Sequence, residues 1–126
     1  MRALVIDDSK PTREILADIL EGIGFEVLKA KDGRQGIDIL AKIESADVIL
    51  VDWLMPGMDG IEFIHAVRAN RAFDRIPVMM VTTETEMPRV ALALQAGASE
   101  YVMKPVTREM ILEKLNLLGI EVPTLP

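Results

Sequence analysis

Two kinds of segment alternate along the chain. One kind is short, apolar and rich in β-branched residues: Ala3-Leu4-Val5-Ile6, Phe25-Glu26-Val27-Leu28, Val48-Ile49-Leu50-Val51, Val78-Met79-Met80-Val81 and Tyr101-Val102-Met103. Most of these lack strict apolar–polar alternation, which predicts strands buried on both faces, as in a parallel sheet. The second alternates most and suits a sheet edge.

The other kind is longer and follows a helical period. Ile15, Leu16, Ile19, Leu20 and Ile23 share one face of a helix from about Lys10 to Gly22. Ile37 and Leu40 do the same between about Gly33 and Glu44. Ile61, Ile64 and Val67 mark a third helix, Val90, Ala93, Leu94 and Ala96 a weaker fourth, and Ile111, Leu112, Leu115 and Leu118 a fifth. Asp59 with Glu62, and Asp32 with Gln35, have the spacing of capping boxes. Thr85 and Thr107 can cap the last two helices. Gly24, Gly97 and Gly119 stand where helices should stop. Strand and helix thus alternate five times, the pattern of an α/β domain with helices on both faces of a parallel sheet and right-handed crossovers. Periodicity leaves the strand order open.

At 126 residues the chain has the length of one domain. Residues 1–119 read as that domain, and 120–126, with two prolines, as a short tail. Hydrophobic residues make up 50%, which argues against disorder, but aromatics are only 4%, so the core must be built from aliphatic side chains and Met. Without cysteine, neither a disulfide framework nor a thiolate zinc site can form. No apolar run approaches membrane-spanning length, and the N-terminus does not read as a signal peptide. A soluble, unexported protein of the cytoplasm is expected. The net charge is −6 with no Lys/Arg cluster, so direct nucleic-acid binding is not expected.

Ligands of open α/β sheets bind beyond the carboxyl ends of the strands. Asp7 and Asp8 follow the first strand, Asp52 the third, Thr82 and Thr83 the fourth, and Lys104-Pro105 the fifth. Taken singly, each has a plainer role: an Asp caps a helix, a Thr lines a loop, a Lys-Pro pair makes a turn. Their joint placement at one sheet edge is what changes the odds. Three neighbouring carboxylates repel one another. A hard divalent cation, Mg²⁺ with Mn²⁺ as a substitute, would offset that repulsion. With the Lys104 ammonium and the Thr82 hydroxyl, the set makes a clamp for a phosphoryl group. One carboxylate would be the nucleophile, forming an aspartyl phosphate. Asp52 is the best candidate, because it stands alone on a central strand facing the paired acids. His65, Trp53 and the methionines read as surface or packing residues.

These residues resemble the receiver domains of two-component response regulators, in the style of the stand-alone, CheY-like type. The resemblance covers nearly the whole chain: Val5-Ile6-Asp7-Asp8-Ser9, Val51-Asp52-Trp53-Leu54-Met55-Pro56-Gly57-Met58-Asp59-Gly60, Val81-Thr82-Thr83, Ala96-Gly97-Ala98 and Val102-Met103-Lys104-Pro105. It implies a flavodoxin-like fold with strand order 2-1-3-4-5. It also implies that Asp52 accepts phosphate from the phosphohistidine of a histidine kinase or a histidine phosphotransfer protein. Asp8 would bind Mg²⁺ directly and Asp7 mainly through water, with Asp52 and the Leu54 backbone carbonyl completing the protein ligands. Thr82 would move to the phosphoryl group, Tyr101 would turn inward behind it, Lys104 would pair with a phosphoryl oxygen, and the Lys104-Pro105 bond would be cis. Gly57 and Gly60 would shape the loop after the third strand. Leu54 and Glu84 occupy the positions that tune phosphate lifetime, and an apolar Leu54 cannot orient water. The switched surface would be the fourth helix, fifth strand and fifth helix, read by a protein target. A monomer that is not an enzyme in the usual sense is expected.

The competing readings are a phosphorelay shuttle with the same chemistry, a phosphorylation-independent scaffold, an aspartyl-phosphate hydrolase and an FMN protein. The hydrolase would need an Asp two residues after its nucleophile, where Leu54 stands. FMN phosphate would be repelled by Asp7-Asp8-Ser9.

Overall fold

The computed structural model describes residues 1–43 and 45–122, with backbone only at residues 84–86. Five strands, β1 (Arg2–Ile6), β2 (Glu26–Ala30), β3 (Val48–Asp52), β4 (Val78–Thr82) and β5 (Glu100–Met103), form one parallel sheet in the order β2-β1-β3-β4-β5. Five α-helices, α1 (Lys10–Ile23), α2 (Gly33–Ile43), α3 (Gly60–Arg68), α4 (Val90–Ala96) and α5 (Arg108–Leu117), follow the strands in turn. Central β3 and β4 are buried at every residue, whereas β2 lies at an edge and is largely half-exposed.

The pleat divides the apolar side chains into two cores. Leu4, Ile6, Ile49, Val51, Val78 and Met80 pack with α2, α3 and α4 through Leu40, Phe63, Ile64, Val67 and Ala93. Ala3, Val5, Val48, Leu50, Met79 and Val81 pack with α1 and α5 through Leu16, Leu20, Ile23, Ile111 and Leu115. Each large aliphatic side chain buried in this way contributes about 1.5–3 kcal/mol.

Capping follows the expected local chemistry. Asp59 and Glu62 close a reciprocal capping box on α3. Asp32 accepts from Gln35 N at 2.8 Å, but the Gln35 side chain reaches back to Lys31 N rather than to Asp32. Thr107 caps α5, and Gly24 and Gly97 end α1 and α4 with positive φ.

The start of α4 departs from the sequence reading. A 3₁₀ turn, Glu84–Arg89, containing Pro88, comes first, and α4 begins at Val90 with Arg89 as an N-cap lacking a side-chain bond. Thr85 therefore does not cap α4, and its side chain lies outside the described residues, as does that of Glu84. The late start also turns Leu94 outward, since this short helix buries Val90 and Ala93. Ile15 likewise faces solvent, because the buried stripe of α1 runs through Leu16, Leu20 and Ile23. The expected tail begins packed, with Ile120 and Val122 against the α1–α5 core, and residues 123–126 lie outside the described residues. Among the described residues, no helix is long and apolar enough to cross a membrane.

Candidate functional site

The sheet's hydrogen-bond ladder continues past the carboxyl ends of its strands. Asp7 N donates to Ala30 O, Trp53 N to Val81 O, and Lys104 N to Thr82 O at 2.7 Å. The residues that follow β1, β3 and β5 are thus tethered to neighbouring strands before any side chain is considered. The loop after β3 then folds back, with Gly60 N bonded to Trp53 O at 2.8 Å. A Cβ at Gly60 would lie 2.7 Å from Asp52 O, so only glycine lets α3 start this close to the strand end.

Asp7, Asp8 and Asp52 converge, with a carboxylate oxygen of each within 4.8 Å of the others. Asp7 is fully buried, Asp52 nearly so, and Asp8 exposed. Asp7 Oδ1 accepts from Ser9 N, and the Arg13 guanidinium donates to Asp7 O, which holds this residue from two directions. Among the described residues, Asp7 Oδ2 accepts no hydrogen bond. Lys104 Nζ lies 3.3 Å from Asp7 Oδ2, out of line for a hydrogen bond, and donates to Asp52 Oδ1 at 3.1 Å.

Burial, and after it charge, accounts for the titration of the group at the centre. Burial and then the Asp7 charge raise the Asp52 carboxyl from 3.8 to about 6, against the pull of Lys104. For Lys104, burial favours the neutral amine, but Asp52 and Asp7 outweigh it and the pKa rises. A site with more buried negative charge than one ammonium offsets, and with an orphaned buried carboxylate oxygen, fits a hard divalent cation.

Thr82 ends β4, fully buried, on the pleat face of Val78 and Met80, whereas Asp52 shares the face of Val48 and Leu50. Its hydroxyl donates to Met87 Sδ at 3.6 Å. Tyr101 is half-buried against the α2–α4 core, with Lys114 Nζ 4.5 Å from its ring centroid and also paired with Glu100 at 3.1 Å. Leu54 is 61% exposed at the mouth of the site, and Lys104-Pro105 is cis. His65 is exposed on α3, away from the cluster.

Sequence reasoning missed Arg13, Met87 and Lys114. Arg13 lies one helical turn inside α1, but nothing in its spacing marks its bond to Asp7 O. Met87 sits in the 3₁₀ turn, where no periodicity flags a thioether.

The family model for the response regulator receiver domain matches residues 3–116. The chain belongs to the response regulator receiver family. This receiver is 40% identical over 121 residues to the chemotaxis protein CheY homolog of Campylobacter jejuni, covering 94% of this chain and 93% of the relative. It is 38% identical over 119 residues to chemotaxis protein CheY1 of Helicobacter pylori, covering 94% and 96%. The solved structure of Vibrio cholerae chemotaxis protein CheY4 superposes with a TM-score of 0.86 at 34% identity, covering 93% and 97%. The receiver is therefore homologous to CheY, a single-domain response regulator of two-component signalling, and phosphorylation on Asp is general for its family. Receivers bind Mg²⁺ at an acidic pocket, and interaction with histidine kinase or phosphotransfer partners is implied. The family is generally not one of conventional enzymes.

Proposed function

We propose that this receiver takes a phosphoryl group onto Asp52 from a phosphohistidine and passes the signal on by switching a protein-binding surface. The observation that carries this reading is the convergence of Asp7, Asp8, Asp52 and Lys104 from three strand ends. Residues 1–119 form the receiver unit, which works in the cytoplasm as a monomer.

In the transfer, an Asp52 oxygen attacks phosphorus as the P–N bond of the phosphohistidine breaks. The electron pair of that bond stays on the imidazole, which leaves neutral once it holds one proton. The Asp52 anion is the reactive form, and the Lys104 ammonium holds it oriented and then faces the added phosphoryl oxygens. Asp8, Asp7, Asp52 and the Leu54 carbonyl would hold Mg²⁺ (or Mn²⁺). Held there, the cation would supply positive charge to offset that of the phosphoryl oxygens. Leu54, exposed and apolar, offers no group to orient a hydrolytic water, so its position and that of Glu84 set phosphate lifetime.

The added charge then biases a two-state element. Thr82 turns to the phosphoryl group, Tyr101 moves inward, and the face of α4, β5 and α5 rearranges. α4 and β5 already expose Leu92, Leu94 and Met103, apolar groups a protein target can cover.

Intact-mass measurement after incubation with acetyl phosphate tests the reading. One phosphoryl addition that requires both Mg²⁺ and Asp52 is expected. No addition in wild type where Mg²⁺ binds leaves a scaffold, and addition that persists in Asp52→Asn moves the nucleophile elsewhere.

A further inference from the structure

The Thr82 hydroxyl is fully buried, and among the described residues its partner is the Met87 thioether, at 3.6 Å. Sulfur of this kind is a weak acceptor. A buried hydroxyl still gains by using it, since leaving the donor unmatched costs more than a poor bond. The bond holds the hydroxyl on the face of Val78 and Met80, across the pleat from Asp52. Met87 also lies in the 3₁₀ turn that leads into α4 at Val90.

We propose that Met87 is a positioning residue of the switch: its sulfur holds the Thr82 hydroxyl in the resting direction and so sets how readily Thr82 turns to the phosphoryl group. This rests on the receiver reading and adds the regulation of that same site. The hydroxyl has two alternative acceptors. In the resting protein it has the thioether. In the phosphorylated protein it has a charged phosphoryl oxygen, roughly twice as strong a partner. A weak resting acceptor keeps the gap small enough for one phosphoryl group to reverse it. Because the turn of Thr82 releases Met87, the same event frees the segment that begins α4.

Replacing the sulfur shifts the equilibrium in a direction fixed by the substitute. Leu fills nearly the same volume and accepts nothing. Met87→Leu therefore destabilises the resting position and favours the turned one. Gln offers an amide oxygen, a stronger acceptor than sulfur, so Met87→Gln holds Thr82 back.

The test uses the full chain with Mg²⁺ and beryllofluoride, which adds to a carboxylate as a phosphoryl mimic. Binding is read by the fluorescence of Trp53, the single tryptophan, which follows Asp52. Met87→Leu is expected to bind about two- to fivefold more tightly than wild type, and Met87→Gln more weakly by about the same factor. In a Thr82→Val background, which removes the hydroxyl, both effects disappear. Equal affinity of wild type and both variants overturns the proposal. So does the same change in the Thr82→Val background, because Met87 would then act through packing alone. Wild type that binds Mg²⁺ but no beryllofluoride sinks the receiver reading itself, an outcome distinct from wild-type binding that Met87 does not influence.

Discussion

The Lys104 ammonium donates a hydrogen bond to Asp52 Oδ1 at 3.1 Å, joining the residue after β5 to the end of β3. Lys104 is also held through its backbone N–H by Thr82 O at 2.7 Å, so the loop can drift little from β4. The same ammonium stands 3.3 Å from Asp7 Oδ2. One cation thus serves two buried carboxylates, and the energetics of the site follow from that imbalance.

Asp52 is destabilised as an anion. Its carboxyl titrates at about 6 in the fold against 3.8 ordinarily, so the native state holds more protons than the unfolded state between these values. Stability from this group therefore falls as pH rises through that window. Asp52→Asn removes the penalty. In EDTA at neutral pH the variant should be about 1–2 kcal/mol more stable than wild type, a figure discounted for partial solvation. The gain should vanish below about pH 4. Urea unfolding at both pH values checks this, and a pH-independent difference would contradict it.

Lys104→Met should have the opposite effect on stability. It leaves Asp7 and Asp52 facing each other without the ammonium, and a loss of about 1–3 kcal/mol in EDTA is expected. The raised pKa of Lys104 means that its favourable contribution is complete at neutral pH and is lost only as pH rises through the folded value, above 10.5. Removal of the competing cation should also tighten Mg²⁺ binding. Titration of Trp53 fluorescence with Mg²⁺ gives the affinity, and weaker binding in the variant would refute the electrostatic account.

Mg²⁺ should stabilise the protein by binding the folded acid cluster alone. At a hundredfold excess over the dissociation constant, the expected gain is about 2.7 kcal/mol. Asp8→Asn should abolish most of this. Melting temperature with Mg²⁺ against EDTA is the measurement, and an unchanged midpoint in wild type at saturating Mg²⁺ would argue against the site.

Two glycines should respond oppositely to alanine. At Gly60 the added Cβ meets Asp52 O at 2.7 Å and Trp53 Cα at 3.0 Å, both backbone atoms that cannot step aside. Gly60→Ala should cost about 2 kcal/mol or more and weaken Mg²⁺ binding. At Gly22 in α1 nothing lies within 4 Å. Gly22→Ala should add about 0.5–1 kcal/mol, because alanine loses less backbone entropy in a helix. Thermal unfolding of the pair decides.

The amino-acid order alone carries whatever depends on near neighbours in the chain. The apolar runs of β3 and β4, the stripe Leu16, Leu20 and Ile23, and the box of Asp59 with Glu62 are all written within a few residues, where periodicity and capping act. The strand ends could be read in the same way, and with them the acids, Thr82 and Lys104. The start of α4 does not follow from the sequence pattern because Pro88 and a 3₁₀ turn intervene, and such turns leave no period. Spacing also could not supply the order β2-β1-β3-β4-β5, the 3.1 Å approach of Lys104 to Asp52, the orphaned Asp7 Oδ2 or the bond from Thr82 to Met87. Lys104 and Asp52 lie 52 positions apart. Their distance, and the burial that lifts Asp52 to about 6, exist only once the sheet has brought the strand ends together and excluded water from between them.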